Sequence, residues 1–283
     1  MIVAVTGSSG FIGTNLVKKL RKKNHEVLEI DLNKGYDILN YASVKNIKKF
    51  DVCVHLAANS YVPKSFENPH DFYSLNIQGL VNSLELCRVF NAKLVFASSY
   101  VYGAPNYLPI NENHPLQGFN PYSETKIIGE KIISDYHKYF GIKAIILRPF
   151  NIYGLNQNEN FLIPSILKQT NDKKIVLQDP RPRRDFVYID DVVSAFTLAV
   201  ENQKIEFDTF NVGFGKSYSV KNIFDIINNL LGGKLIVSFS DKIRMNEVLD
   251  TVSDITKAKD KLAWTPKIDL TTGILKIINN EKN

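Results

Sequence analysis

Cysteine is nearly absent. The chain has two among 283 residues, Cys53 and Cys87. Both sit in apolar runs, VCVHLAA and LELCRVF, and read as small buried hydrophobes of a reducing compartment, not as a disulfide or a metal site. No metal is expected. Long hydrophobic runs are also missing, so nothing approaches the length that spans a bilayer. The N-terminus, MIVAVTG, passes straight into a strand pattern without a secretory n-region or cleavage site. The expected location is cytoplasmic, with no membrane partner. The net charge is +6, yet there is no basic block and no basic-aromatic motif. Scattered lysines read as a solvated surface, and no nucleic-acid partner is expected. A mildly basic surface does attract anionic substrates. Internal repeats and low-complexity tails are absent.

What is present is an ordinary globular composition, 44% hydrophobic and 23% charged. The length suits one large domain or two intimately joined ones. Short apolar runs at Ile2–Val5, Val27–Ile30, Val52–Leu56, Lys93–Ala97 and Ala144–Leu147 have the character of strands buried on both faces. Helix-like stretches at Gly10–Lys23, Asp71–Phe90 and Tyr122–Phe140 separate them. This rhythm predicts an α/β fold, a Rossmann-type doubly wound parallel sheet. After Leu147 prolines punctuate the chain. Helices are expected near Phe161–Thr170, Asp190–Asn202, Val220–Leu231 and Asp254–Lys261, with short strands near Lys174–Leu177, Thr209–Val212 and Leu235–Val237. The division expected is a dinucleotide-binding domain over 1–150 and a smaller C-terminal α/β substrate-binding part over 151–283.

Gly7, Gly10 and Gly13 form TGSSGFIG between a predicted strand and a predicted helix. Glycine permits the tight turn and lets backbone approach a pyrophosphate, and the helix N-terminus offers free N–H groups. Asp31 ends the second strand, 18 residues after Gly13. A carboxylate there bonds ribose hydroxyls and repels a 2′-phosphate, which favours NAD over NADP. Lys34 weighs slightly the other way.

PYSETK places Tyr122 and Lys126 four residues apart, on one helical face, with Pro121 at the helix start. A phenol is a poor base at neutral pH. Bringing it from near 10 to neutrality takes about 4 kcal/mol, which a neighbouring ammonium and a positive nicotinamide ring can supply. The strand Lys93–Ala97 ends in ASSYVYG. Ser98 stands at its C-terminal end, where open α/β sheets place their sites. Its hydroxyl could bond a substrate oxygen and relay a proton to Tyr122. Ser99, Tyr100 and Tyr102 compete for that position.

TGSSGFIG, HLAA at 55–58, SSYVYG, PYSETK, RPFNIYG at 148–154 and RDFVYIDDV at 184–192 occur in order. Together they resemble the extended short-chain dehydrogenases/reductases, the NAD-dependent sugar-nucleotide epimerase/dehydratase family, nearly end to end. The resemblance implies further roles. Phe11 and Ile12 line the pyrophosphate turn, Asp37 and Ile38 hold adenine after an unusually short loop, and Leu56, Ala57 and Ala58 pass beside the cofactor. Asn76 matches a cofactor-side asparagine, although helix packing fits it nearly as well. Phe150 flanks the nicotinamide and Asn151 meets the nucleotide sugar. Arg184 and Arg244 clamp the diphosphate, for which a guanidinium fork is suited. Glu247 lies near the ribose. Arg181 and Arg183 are left undecided, and His55 is given no catalytic role.

Departures narrow the reaction. The family's dehydratases carry an Asp-Glu pair after the catalytic hydroxyl residue, where this chain has Ser99 and Tyr100. Its decarboxylases commonly carry Glu at the place of Tyr100. Without those acids, elimination lacks its proton donor and base. The pattern is therefore most like the UDP-glucose 4-epimerases. It implies transient oxidation of a UDP-hexose at carbon 4 by Ser98, Tyr122 and Lys126, with hydride return from a retained NAD. Another reductase, dehydratase or decarboxylase of nucleotide sugars is the alternative, or, from a different class, a non-catalytic dinucleotide sensor. The aromatic usual near Leu177 is missing. A homodimer is expected through the helices 71–90 and 122–140, whose apolar residues occupy more than one side.

Overall fold

The computed structural model describes residues 1–240 and 247–281. The first half alternates as its pattern predicts. Its elements are β1 (Ile2–Thr6), α1 (Phe11–Lys22), β2 (Glu26–Ile30), the short α2 (Tyr41–Val44), β3 (Val52–His55), the short α3 (Val62–Glu67) and α4 (Pro69–Tyr73), α5 (Gly79–Phe90), β4 (Lys93–Ala97), α6 (Pro121–Phe140) and β5 (Ala144–Pro149). The stretch 71–90 is not one regular helix. A wider π-helical turn, Ser74–Gln78, joins α4 to α5. The long α6 is well delimited. Asn120 and Ser123 form a reciprocal capping box, Pro121 opens the first turn, and Gly141 closes it in the left-handed region at φ +70°.

Six strands make one parallel sheet in the order β2-β1-β3-β4-β5-β9. The last, β9 (Phe207–Val212), pairs with the whole of β5. Sequence reading groups Thr209–Val212 with the C-terminal part, but the strand returns to the first sheet. The helix before it, α8 (Ile189–Glu201), packs on α1. Leu16, Leu20, Val192 and Phe196 fill that face of the sheet. Leu80, Leu84 and Ile133 of α5 and α6 fill the other. Strand order reverses at β1, so a crevice opens beyond the C-terminal ends of β1 and β3.

The remaining elements are β6 (Asn151–Tyr153), α7 (Leu162–Gln169), β7 (Lys174–Leu177), β8 (Arg183–Tyr188), β10 (Ser217–Ser219), α9 (Val220–Leu230), β11 (Ile236–Phe239), α10 (Thr256–Leu262) and α11 (Leu270–Glu281). They form a three-stranded sheet, β10-β8-β6, and a parallel pair, β11-β7. Of these, β7, α7, α9, α10 and β11 are expected from the sequence, whereas β6, β8, β10 and α11 are not. Two of these strands have three residues each, and β8 opens on Arg183, Arg184 and Asp185, which mask its alternation.

Candidate functional site

The glycine turn sits where β1 meets the crevice. Gly7 has φ +67°, and a Cβ there would lie 2.8 Å from the Ala57 nitrogen. A Cβ on Gly13 would collide with the Gly7 carbonyl oxygen. Both positions therefore demand glycine. Gly10 is the N-cap of α1 and brings no side-chain cap, so the first amides at Phe11, Ile12 and Gly13 receive no side-chain acceptor from it. Ser8 Oγ in the same turn is buried with no hydrogen-bond partner among the described residues. Phe11 and Ile12 pack against the core. Asp31 is laced to the turn: Ser9 N donates to Oδ2 and Asn33 N to Oδ1, each at 3.0 Å. Each oxygen keeps a lone pair for a further donor.

Thr6 holds the opposite wall. Its Oγ1 accepts from the amides of Leu56 and Ala57, both at 3.2 Å. Ala58 lines a cleft of about 420 Å³ with Asn59, Tyr61, Lys64 and Phe72. Asn76 lies in the π turn. Its Oδ1 accepts from Asn59 N at 2.8 Å, and its Nδ2 donates to Asn59 O and Thr125 Oγ1. It thus ties the loop after β3 to α6. Asp37 Oδ1 accepts from Leu39 N, and Ile38 is buried with its carbonyl bonded by Asn82. His55 is buried, stacked on Phe96, with Nδ1 shared between the hydroxyls of Thr6 and Ser83. Burial, helped by the Lys126 charge, pulls its pKa down to about 3.

Tyr122 and Lys126 face the end of β4 from one side of α6. Lys126 Nζ donates to Ala97 O at 2.8 Å and lies 5.9 Å from the Tyr122 ring centroid. Burial pulls the ammonium down to about 7, opposed by the Glu130 charge. Burial also pushes the Tyr122 phenol up, opposed by a hydrogen bond with Ser99. Positive charge added next to the phenol would oppose that push. Ser98 is buried beside them, and its Oγ donates to Glu130 Oε1 at 2.5 Å.

On the far side of the crevice, Phe150 is buried against Tyr100 and Tyr102, with ring centroids 5.3 and 6.4 Å away. Asn151 begins β6, and its Nδ2 donates to Asp185 O. Arg184 Nη1 donates to the carbonyls of Arg183 and Val248, and Nη2 pairs with Glu247. Its charge also acts on the Tyr100 phenol, opposing the upward push of burial. Arg181 is tied to Asp179 by two bonds, and Arg183 to Ser217 and Asn222. Of the three arginines, Arg184 is the one joined to Glu247. Arg244 lies outside the described residues.

The model of the NAD dependent epimerase/dehydratase family matches residues 3–213. The chain belongs to that family. A putative UDP-glucose 4-epimerase of Methanocaldococcus jannaschii is 38% identical, over 100% of this chain and 99% of its own length. The UDP-glucose 4-epimerase of Lactobacillus helveticus is 32% identical, over 94% and 92%. The crystal structure of the Thermotoga maritima UDP-glucose 4-epimerase with UDP-glucose superposes with a TM-score of 0.92 at 26% identity, covering 100% of both chains. That of the Thermus thermophilus enzyme, a complex with NAD, gives 0.90 at 27%, covering 100% of this chain and 99% of its own.

As an epimerase/dehydratase the protein is an NAD-dependent enzyme, and its crevice fits the cofactor. The glycine cradle leaves no room for side chains, the first turn of α1 has no side-chain cap, and the Asp31 carboxylate stands beside the turn with lone pairs to spare. Two residues that sequence reading passes over join this site. Glu130 follows Lys126 by one helical turn, and Arg148 lies opposite on β5. The signal is there to read: two charges, one on the inward face of a helix and one inside an apolar strand, have to be paired if buried.

Proposed function

We propose that this enzyme is a nucleotide-sugar 4-epimerase acting on a UDP-hexose. The carrying observation is the facing of Tyr122 and Lys126 on α6 with Ser98 and Ser99 at the end of β4, next to a crevice built for a dinucleotide. Ser99 and Tyr100 stand where elimination would need acids, and the Lactobacillus helveticus relative is a UDP-glucose 4-epimerase. Bound NAD supplies the acceptor, and then the donor, of one hydride. Gly7, Gly10, Phe11, Ile12 and Gly13 hold its pyrophosphate, Asp31 its ribose, Asp37 and Ile38 its adenine side, and Leu56, Ala57, Ala58 and Phe150 its length. Tyr122 removes the proton of the sugar hydroxyl at carbon 4 and later returns it. Lys126 holds that tyrosine's charge, and Ser98 touches the sugar. Arg184, with Arg244, Glu247 and Asn151, anchors the nucleotide diphosphate while the sugar turns over between the two hydride transfers.

We place the enzyme in the cytoplasm, as a homodimer paired through α5 and α6. No helix of the described residues is long and apolar enough to cross a membrane.

Incubation with a panel of nucleotide sugars, read by NMR, tests the reaction. Interconversion of UDP-glucose and UDP-galactose without net NADH formation is expected. Tyr122→Phe should lower turnover by about 10²–10⁴-fold, the range for a lost general base, while the purified protein keeps its NAD absorbance. Full activity in that variant refutes the assignment.

A further inference from the structure

Glu130 and Arg148 form an ion pair inside the protein, with side chains 7% and 6% exposed. Arg148 offers its fork: Nε donates to Oε1 at 2.9 Å and Nη2 to Oε2 at 2.5 Å. The remaining Nη1 donates to Tyr102 OH and to Glu112 O. Tyr102 in turn donates to Asn211 Oδ1 at 2.6 Å. The network draws its members from α6, β5, the loop after β4, and β9. A buried carboxylate needs such donors, and this one has a third, the Ser98 hydroxyl at 2.5 Å.

That third bond has a fixed direction. A carboxylate locked by a guanidinium has only lone pairs to offer, so Ser98 must donate to it. The hydroxyl has a single hydrogen. To any further partner, Ser98 Oγ then presents lone pairs alone.

We propose that Glu130, clamped by Arg148, is a positioning residue that commits the Ser98 proton away from the crevice and makes Ser98 a hydrogen-bond acceptor for the substrate. This rests on the reading of Ser98 as a residue that touches the sugar. Ser98 orients the sugar by accepting from one of its hydroxyls and does not relay the reacting proton. The proton of the oxidised hydroxyl passes directly to the Tyr122 oxygen as the hydride leaves the same carbon for NAD, and both return by the same routes. Helix α6 therefore carries three successive functional positions on one face, Tyr122, Lys126 and Glu130, each four residues apart.

The test is a double-mutant cycle on the NAD-loaded protein with UDP-galactose as the probe. Ser98→Ala should lower kcat by about 10²-fold, the size of loss expected when a substrate is misplaced by about an ångström. Glu130→Gln should lower kcat at least tenfold with KM changed less than threefold. In the Ser98→Ala background, Glu130→Gln should cost less than twofold more, because a residue acting through Ser98 has nothing left to act on. Because Glu130→Gln leaves Arg148 unpaired, the double variant Glu130→Gln/Arg148→Met carries the same comparison without a buried lone charge. Equal losses in both backgrounds overturn the proposal and leave Ser98 as a substrate contact. Full activity of Ser98→Ala overturns the underlying reading of that serine, and the proposal with it.

Discussion

Arg184 is bonded to Glu247 and to the backbone oxygens of Arg183 and Val248. Those bonds hold its guanidinium in place in the free protein, where we propose that the diphosphate binds. Arg184→Ala should raise KM for UDP-galactose by about 10–100-fold, the equivalent of one charge-assisted hydrogen bond, with a smaller change in kcat. Unchanged affinity by calorimetry would remove Arg184 from the clamp. At this scale the sequence is readable where spacing encodes chemistry. Gly7 and Gly13 are legible because nothing else fits, and Asp31 because it ends a strand beside them. Ser98 is legible as a position but not as a hydrogen-bond donor to Glu130, since that partner lies 32 residues away on another element. Asn76 is ambiguous in the sequence for a related reason: its amide serves Asn59 and Thr125, contacts that only the folded chain brings together.

Among the elements, α5 and α6 raise the question of what covers them. Both have one face on the sheet. The core beneath them is built from the first 146 residues, and of the later described residues only Phe207 packs against it. The C-terminal part sits on the opposite face, with α1 and α8. It therefore does not cover the outer sides, where Ile127 and Ile128 are half-buried or better and Val89, Tyr139 and Phe140 are exposed. Pairing of two copies through these helices should give a dimer by light scattering at micromolar concentration, and a monomer there would refute it. Strand and helix positions of the first half are legible because each run is uniformly apolar or amphipathic. The π turn at 74–78 is not, because its residues look like those of any helix. The final helix α11 escapes sequence reading although Leu270, Ile274, Ile277 and Ile278, all buried, carry helical spacing.

For the whole molecule, stability should depend on acid through His55. Its pKa falls from the usual 6.5 to about 3 on folding. Above pH 6.5 neither state binds this proton. Between about 6.5 and 3 the unfolded chain binds it and the folded chain does not, so each unit of acidification removes about 1.4 kcal/mol of stability. Thermal denaturation followed from pH 7 to 5 should show a steeper loss in the natural protein than in His55→Gln. Identical slopes would mean that this imidazole is not held neutral.

The return of β9 to the main sheet ties the two parts of the chain together. The chain leaves the first layer after β5, comes back through α8 and β9, and leaves again for β10. Two parts joined by one stretch of chain can swing and twist freely, and each added crossing removes some of that freedom. Here three crossings join the sheet that carries the glycine turn to the part that carries Arg184. In the reaction we propose, the sugar presents both faces to one fixed cofactor by pivoting about its own diphosphate.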